Sequence, residues 1–175
     1  MIEFDEPISE LLDGLCDQDA PLRAALIYRL SDPVADDLDA LRAAWGDVPV
    51  ERRQLLLSRL AEMSETSFEL DFSDVALFAL EDDDADVRRL AIEALWENEL
   101  PTTMFRLIRI LQHDEAAGVR AAAAQGLGRF VLAGELDTLP GATTREAEAA
   151  LLEVWAESGE AVEVRRRALE SVSYS

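Results

Sequence analysis

The 175-residue chain contains no lysine: all 16 of its basic residues are arginine, set against 37 acidic ones for a net charge of −21. Binding the backbone of DNA or RNA relies on cations that neutralise phosphates, so a field this negative argues against a nucleic-acid partner. Attraction to a basic protein or peptide and plain solvation of an acidic surface both remain open as readings of that charge. Cysteine occurs once, at Cys16, which excludes an internal disulfide and leaves a small buried hydrophobe as its expected role. Histidine also occurs once; His113 by itself cannot build a multi-histidine metal centre, and it is expected at a helix C-terminus. Aromatic residues make up only 6% of a chain that is 49% apolar. That mixture, rich in alanine and leucine, excludes a disordered acidic tail and favours packed helices over sheets. No run of apolar residues approaches the roughly 20 of a membrane span, and the acidic start "MIEFDEPISELL" is unlike a signal peptide, so a soluble cytoplasmic protein is expected. Missing too are G-x-G-x-x-G, P-loop, C-x-x-C and G-x-S-x-G motifs. The acidic run "DDDAD" lacks the central glycine and closing glutamate of a calcium loop. Neither a cofactor nor a metal nor a catalytic residue is expected, and the chain reads as a non-enzyme.

What is present is a repeated register of arginines. The segments "PLRAALIYRL", "ERRQLLLSRL", "DVRRLAIEAL", "GVRAAAAQGL" and "EVRRRALESV" align on Arg23, Arg53, Arg88, Arg120 and Arg165. In each, an apolar or small residue follows by three and another by seven, which is one face of a helix. Leucine or valine precedes the arginine in four of the five; Arg52 stands there in the second, which is the weakest match. Upstream of each lies an acidic turn: Asp17 and Asp19, Asp47, Asp82 to Asp84, Asp114 and Glu115, and Glu160.

Successive register arginines are 30, 35, 32 and 45 residues apart, a period that signals stacked supersecondary units. Between them lie further amphipathic segments: "PISELLDGLC", "PVADDLDALRAAW", "FSDVALFALE", "PTTMFRLIRILQ" and "TREAEAALLEVWAE". Pro7, Pro33 and Pro101 open three of these, and Thr143 or Thr144 is placed to cap the fifth. Each unit is therefore expected to be an antiparallel pair, an A helix followed by a B helix that starts at the acidic turn. The fold class is all-α, an α-α superhelix of about five helix pairs in one domain spanning 1–175. The units fall at about 7–32, 33–71, 72–100, 101–140 and 141–175.

The pattern D-x-x-x-V-R-x-x-A-x-x-A-L, approached by "DADVRRLAIEAL" and continued by "GVRAAAAQGLG", resembles HEAT repeats of the bacterial form shared with phycobilisome lyase-like proteins. It covers residues from about 7 to 173. The resemblance implies that the acidic turns cap the B helices while the register arginines join neighbouring units as a structural ladder. HEAT arrays serve as scaffolds, adaptors, lyase subunits and a few enzymes. The paired His-Glu motifs of HEAT-type di-iron hydroxylases are absent, and the basic grip of HEAT-type DNA glycosylases is contradicted by the charge.

The resemblance thus points to a non-enzymatic scaffold or adaptor that holds a protein or peptide on a concave face lined by B helices. A phycobilin lyase-like or other enzyme-associated repeat protein is the alternative, and an N-terminal module of a longer array is a third reading. Positions one, five, eight and nine after each register arginine are expected at that face or its rim. They give Tyr28; Gln54 and Ser58; Arg89, Glu93, Trp96 and Glu97; Gln125 and Arg129; and Arg166, Glu170 and Tyr174. Trp96 is the foremost of these, because tryptophan is over-represented among interface hot spots. Trp45 and Trp155 are expected in the core. "VLAGELDTLPGATTREA" is expected to form an extended connection marked by Gly134, Pro140 and Gly141, and "EMSETSFELD" an enlarged exit from the second unit. The last pair, "AEAALLEVW" with "ALESV", is expected to leave apolar residues that a further unit or another chain would cover.

Overall fold

Proline sets the helix starts. Pro7, Pro49 and Pro140 are the N-caps of three helices and Pro101 is the first residue of a fourth, where the missing N–H costs nothing. The structure, a computed structural model, describes residues 6–67 and 69–173. Its elements are α1 (Ile8–Cys16), α2 (Ala24–Arg29), α3 (Ala35–Ala44) with a 3-10 turn (Trp45–Asp47), α4 (Val50–Thr66), α5 (Ser73–Ala79), α6 (Ala85–Ala94), α7 (Pro101–His113), α8 (Ala117–Glu135), α9 (Gly141–Ala156) and α10 (Val162–Val172). Among the described residues there is no strand. The protein is all-α, with the A and B helices alternating as the register requires.

The chain divides into two compact units, Met1–Glu97 and Asn98–Ser175. In the first, α1 packs on α2 and α3, α5 on α6, and α4 lies along α6. In the second, α7 packs on α8, α9 on both α8 and α10, and α10 along α8. Helix α8 follows α7 after only residues 114–116, so these two long helices fold back on each other.

The register residues form the core of each unit. Leu26, Leu30, Leu56, Leu60, Val87, Ala91 and Leu95 are at most 1% exposed in the first, as are Val119, Ala123, Leu127, Val164 and Ala168 in the second. Each buried leucine or valine contributes about 1.5–3 kcal/mol of transfer free energy. Alanine at the register positions of α6, α8 and α10 lets helices approach closely. A Cβ added to Gly128 of α8 would lie 3.0 Å from the Ser171 hydroxyl of α10, and one on Gly134 would lie 2.2 Å from Thr144 Oγ1 of α9.

Three local expectations are corrected. The stretch from Val131 is not an extended connection, because α8 continues through Gly134 to Glu135 and only residues 136–140 link it to α9. The run "RFVLA" has no turn signal strong enough to stop the helix, and its Phe130, Val131 and Ala133 are buried. Thr143 and Thr144 do not cap α9. The helix begins at Gly141 after Pro140, and Thr144 is buried inside its first turns. The exit of the second unit is half helical, since α4 runs to Thr66. The rest of it ties down a neighbouring turn: Asp32 N–H donates to Asp71 O (2.7 Å) and Asp71 N–H to Ser31 Oγ (3.1 Å). These bonds hold Asp32 at φ 48°, a left-handed conformation that aspartate tolerates better than most residues.

Candidate interaction surface

The acidic turn before α6 shows what the arginine register does. Asp84 is the N-cap, its Oδ1 accepting Val87 N–H (3.0 Å) and Gln54 Nε2 from α4 (3.0 Å). The Gln54 bond, the Val87 N–H and the nearby Arg53 charge hold the Asp84 carboxyl below its ordinary value, against the cost of desolvation. Two residues earlier, Asp82 turns one oxygen to Asp84 N–H (2.8 Å). Its other oxygen takes the Trp45 indole and Arg53 Nη1, both at 2.6 Å, and its side chain is fully buried. Arg53 also donates from Nε to Val48 O (3.1 Å). It thus binds its own turn at one end and the next turn's carboxylate at the other. Arg120 repeats this in the second unit, with Nη1 on Asp114 O (2.7 Å) and a two-pronged bond to Glu160 at 2.8 and 2.6 Å. The Arg120 guanidinium holds the Glu160 carboxyl below its ordinary value.

The other register arginines vary the scheme. Arg88 is buried and donates to Asp82 O (2.8 Å) and Asp83 O (3.0 Å) of its own turn. Arg23 turns back to Glu6, not to the acids of its own turn. Arg165 donates from Nε to Trp155 O (2.9 Å). Side-chain capping of a B helix is confined to Asp84 among the described residues. At α8 and α10 the acids instead bind the N–H of the cap residue itself, Asp114 that of Ala116 and Glu160 that of Ala161.

Two buried charges escape a reading by register alone. Arg52 occupies the slot that the other repeats fill with Leu or Val, and it is 5% exposed. It donates to three backbone carbonyls, Gly14 O (3.1 Å), Leu15 O (3.1 Å) and Ala20 O (2.9 Å), holding the C-terminus of α1 against α4. Asp37 is 4% exposed on α3 and takes Arg29, the last residue of α2, with both carboxylate oxygens. The signal for both is a charge in line with buried leucines: Arg52 precedes Leu56 by four, as Asp37 precedes Leu41.

The residues expected to meet a partner are placed as follows. In the first unit Tyr28 (42%) and Trp96 (40%) are exposed, as are Ser58, Glu93 and Glu97, while Gln54 is half-buried on Asp84. Arg89 is half-buried and paired with Asp86 (3.3 Å) and Glu93 (2.6 Å) along α6. Arg89, Glu93, Trp96 and Glu97 stand at helical spacings and continue one side of α6 past its end. In the second unit Gln125, Arg166 and Glu170 are exposed. Arg129 is corrected: it is not a rim contact but is turned inward. Its guanidinium lies 4.7 Å from the Phe130 ring centroid, Nε donates to Asn98 O (3.2 Å), and Nη2 is buried with no acceptor among the described residues. Burial pulls this guanidinium down to about 10, with the Glu99 charge opposing. Tyr174 lies outside the described residues.

Of the tryptophans assigned to the core, Trp45 is 7% exposed and packs edge-on against Phe78 at 5.3 Å. Trp155 is not a core residue but is 40% exposed, because the inner side of α9 is taken by Ala147, Ala150, Leu151 and Val154. Cys16 closes α1 half-buried, its thiol raised above its ordinary value by desolvation and by Asp47 and Asp13. His113 is the last residue of α7 and is exposed.

Among the described residues no group of His, Cys, Asp or Glu side chains is arranged to hold a metal ion, and no helix is long and apolar enough to cross a membrane. The helix pairs, the repeated arginine register and the acidic joints together define a helical repeat protein. The family model for HEAT repeats matches residues 73–173, more than half of the chain, and the protein belongs to that family, with the HEAT-type α-solenoid fold. No curated protein and no solved structure matches the chain significantly.

Proposed function

We propose that the protein is a non-enzymatic interaction scaffold or adaptor, working in the cytoplasm, whose B helices hold a protein or peptide. HEAT repeats commonly mediate protein interactions, which supports this reading. The observation that carries the reading is Trp96, left 40% exposed just past the end of α6 beside Arg89, Glu93 and Glu97, although its repeat has an apolar core to take it. An exposed tryptophan on a helix that also carries the Arg89–Glu93 pair has the composition of an interface hot spot, where the ring supplies apolar area and the charges set orientation. Within the same unit, Tyr28 on α2 occupies the fifth position of its own repeat and is likewise exposed. With a net charge of −21 the partner fits best as a basic protein or peptide, so low salt favours the encounter.

The test is affinity capture from the source lysate at low and high salt, with Trp96→Ala alongside the native chain. Retention of a discrete protein by the native chain and its loss in a variant of unchanged helicity supports the reading. A partner held equally by Trp96→Ala and by charge-reversed Arg89 would sink it.

A further inference from the structure

Among the described residues, the joints made by Arg53 and Arg120 have unmatched counterparts at Arg165 and at the turn of Asp17 and Asp19. Within the first unit, Arg53 gives Nη1 to Asp82 and the next residue, Gln54, gives its amide to Asp84. Within the second, Arg120 reaches Glu160 in the same forward direction. Arg165 has only the backward half of such a joint: Nε binds Trp155 O, and its two Nη groups have no partner among the described residues. Around it lie Trp155 (40% exposed), Val162 (81%) and Leu169 (46%), apolar side chains on the outer sides of α9 and α10. Val162, Arg165, Arg166 and Leu169 share one stripe of α10, being three, four and seven residues apart.

The complementary half is at the first acidic turn. Asp17 Oδ1 accepts Asp19 N–H at 2.9 Å, as Asp82 Oδ1 accepts Asp84 N–H at 2.8 Å, so the two turns share one local hydrogen bond. Yet Arg23 of that repeat is committed to Glu6, and no ion pair reaches Asp17 or Asp19 among the described residues. Both aspartates are exposed.

We propose that the α9–α10 face docks the first repeat of a second copy of this chain, head to tail. Arg165 meets Asp17 of the other copy as Arg53 meets Asp82. Arg166 meets Asp19 as Gln54 meets Asp84, giving up its exposed pairs with Glu163 (3.6 Å) and Glu170 (3.3 Å). A second copy fits better than an unrelated partner because it offers the same acid-x-acid turn that the interior joint already accepts. Trp155, Val162 and Leu169 then lose their contact with water, which supplies the non-directional part of the attraction. The net charge of −21 on each copy opposes association at long range. Moderate salt, with a screening length of about 8 Å, weakens that repulsion more than it weakens pairs in contact. The contact is heterologous, so an open assembly keeps one free head and one free tail.

The experiment is sedimentation equilibrium over a concentration series at moderate salt. The native chain is expected to show a mass that rises above the monomer with concentration. Arg165→Glu, which breaks the tail, and Asp17→Ala, which breaks the head, are each expected to stay monomeric alone. Mixed in equal amounts they leave one intact joint between them and form a discrete 1:1 dimer. Trp155→Ser tests the apolar part without changing charge and is expected to weaken association about tenfold, equivalent to about 1.4 kcal/mol. Circular dichroism checks that each variant keeps its helices. Arg166→Glu, at an exposed position, replaces Arg165→Glu if the latter fails to fold. A native chain that stays monomeric across the series, or head and tail variants that associate as it does, overturns the proposal.

Discussion

A single arginine in a hydrophobic slot illustrates how much one residue can decide. Arg52 satisfies three carbonyls at once, and its removal would leave those oxygens buried without donors. Arg52→Ala is therefore expected to lower unfolding free energy by about 2–4 kcal/mol. Arg52→Lys should recover only part, because a compact ammonium cannot span three acceptors held in a fork; urea denaturation midpoints at constant m-value check both. Glu160 makes a second case, through pH. Its carboxyl is held below the ordinary value by Arg120 in the folded protein and reverts on unfolding. The stability it adds is thus fully present above the unfolded value and lost as pH falls through the folded one. Glu160→Gln should flatten the acid limb of a stability–pH curve, and an acid limb as steep as that of the native protein would contradict the assignment. At this scale the sequence was only partly legible. The alignment singles out Arg52 as the odd member of its register, but only packing shows that the slot faces the end of α1. Likewise Trp155 and Arg129 follow the helical period correctly, yet their burial depends on which neighbours fill the adjacent side.

Helices were easier to read than residues, since the three-and-seven spacing and the prolines mark them directly. The exception is instructive: Gly134 and Gly141 look like turn signals, yet Gly134 lies within α8 because a side chain there would strike α9. Glycine in this position serves a close approach between helices, and a sequence read in isolation cannot distinguish that use from a turn. Gly134→Ala is expected to destabilise by about 1–3 kcal/mol through overpacking against Thr144. Gly118, in the first turn of the same helix, has nothing within 4 Å of an added Cβ. Gly118→Ala should stabilise by about 0.4–1 kcal/mol by restricting the unfolded chain. Opposite shifts in melting temperature for the two substitutions would establish the distinction, and shifts of the same sign would remove it.

Over the whole molecule, charge sets the conditions under which the fold is stable. Excess acid of −21 repels itself in the compact state, so added salt should raise the melting temperature between low and moderate ionic strength, by about 2–6 °C. A scanning calorimeter decides it, and a fall over that range would show that attractive pairs outweigh the repulsion. The repeat architecture was visible at this scale from spacing, because five segments agree on one register and agreement of that kind survives any single exception. The family itself came from the resemblance of the D-x-x-x-V-R-x-x-A-x-x-A-L pattern to HEAT repeats. Arrays of repeats are thought of as strings of interchangeable parts, free to gain or lose a member by duplication. Arg52 removes that freedom at one point: the second repeat carries a buried guanidinium that is satisfied by the end of α1 and the turn after it in the first repeat. Deleting the first repeat, or copying the second elsewhere in the chain, would strand that charge, so the order of these two units is fixed by chemistry and not only by ancestry.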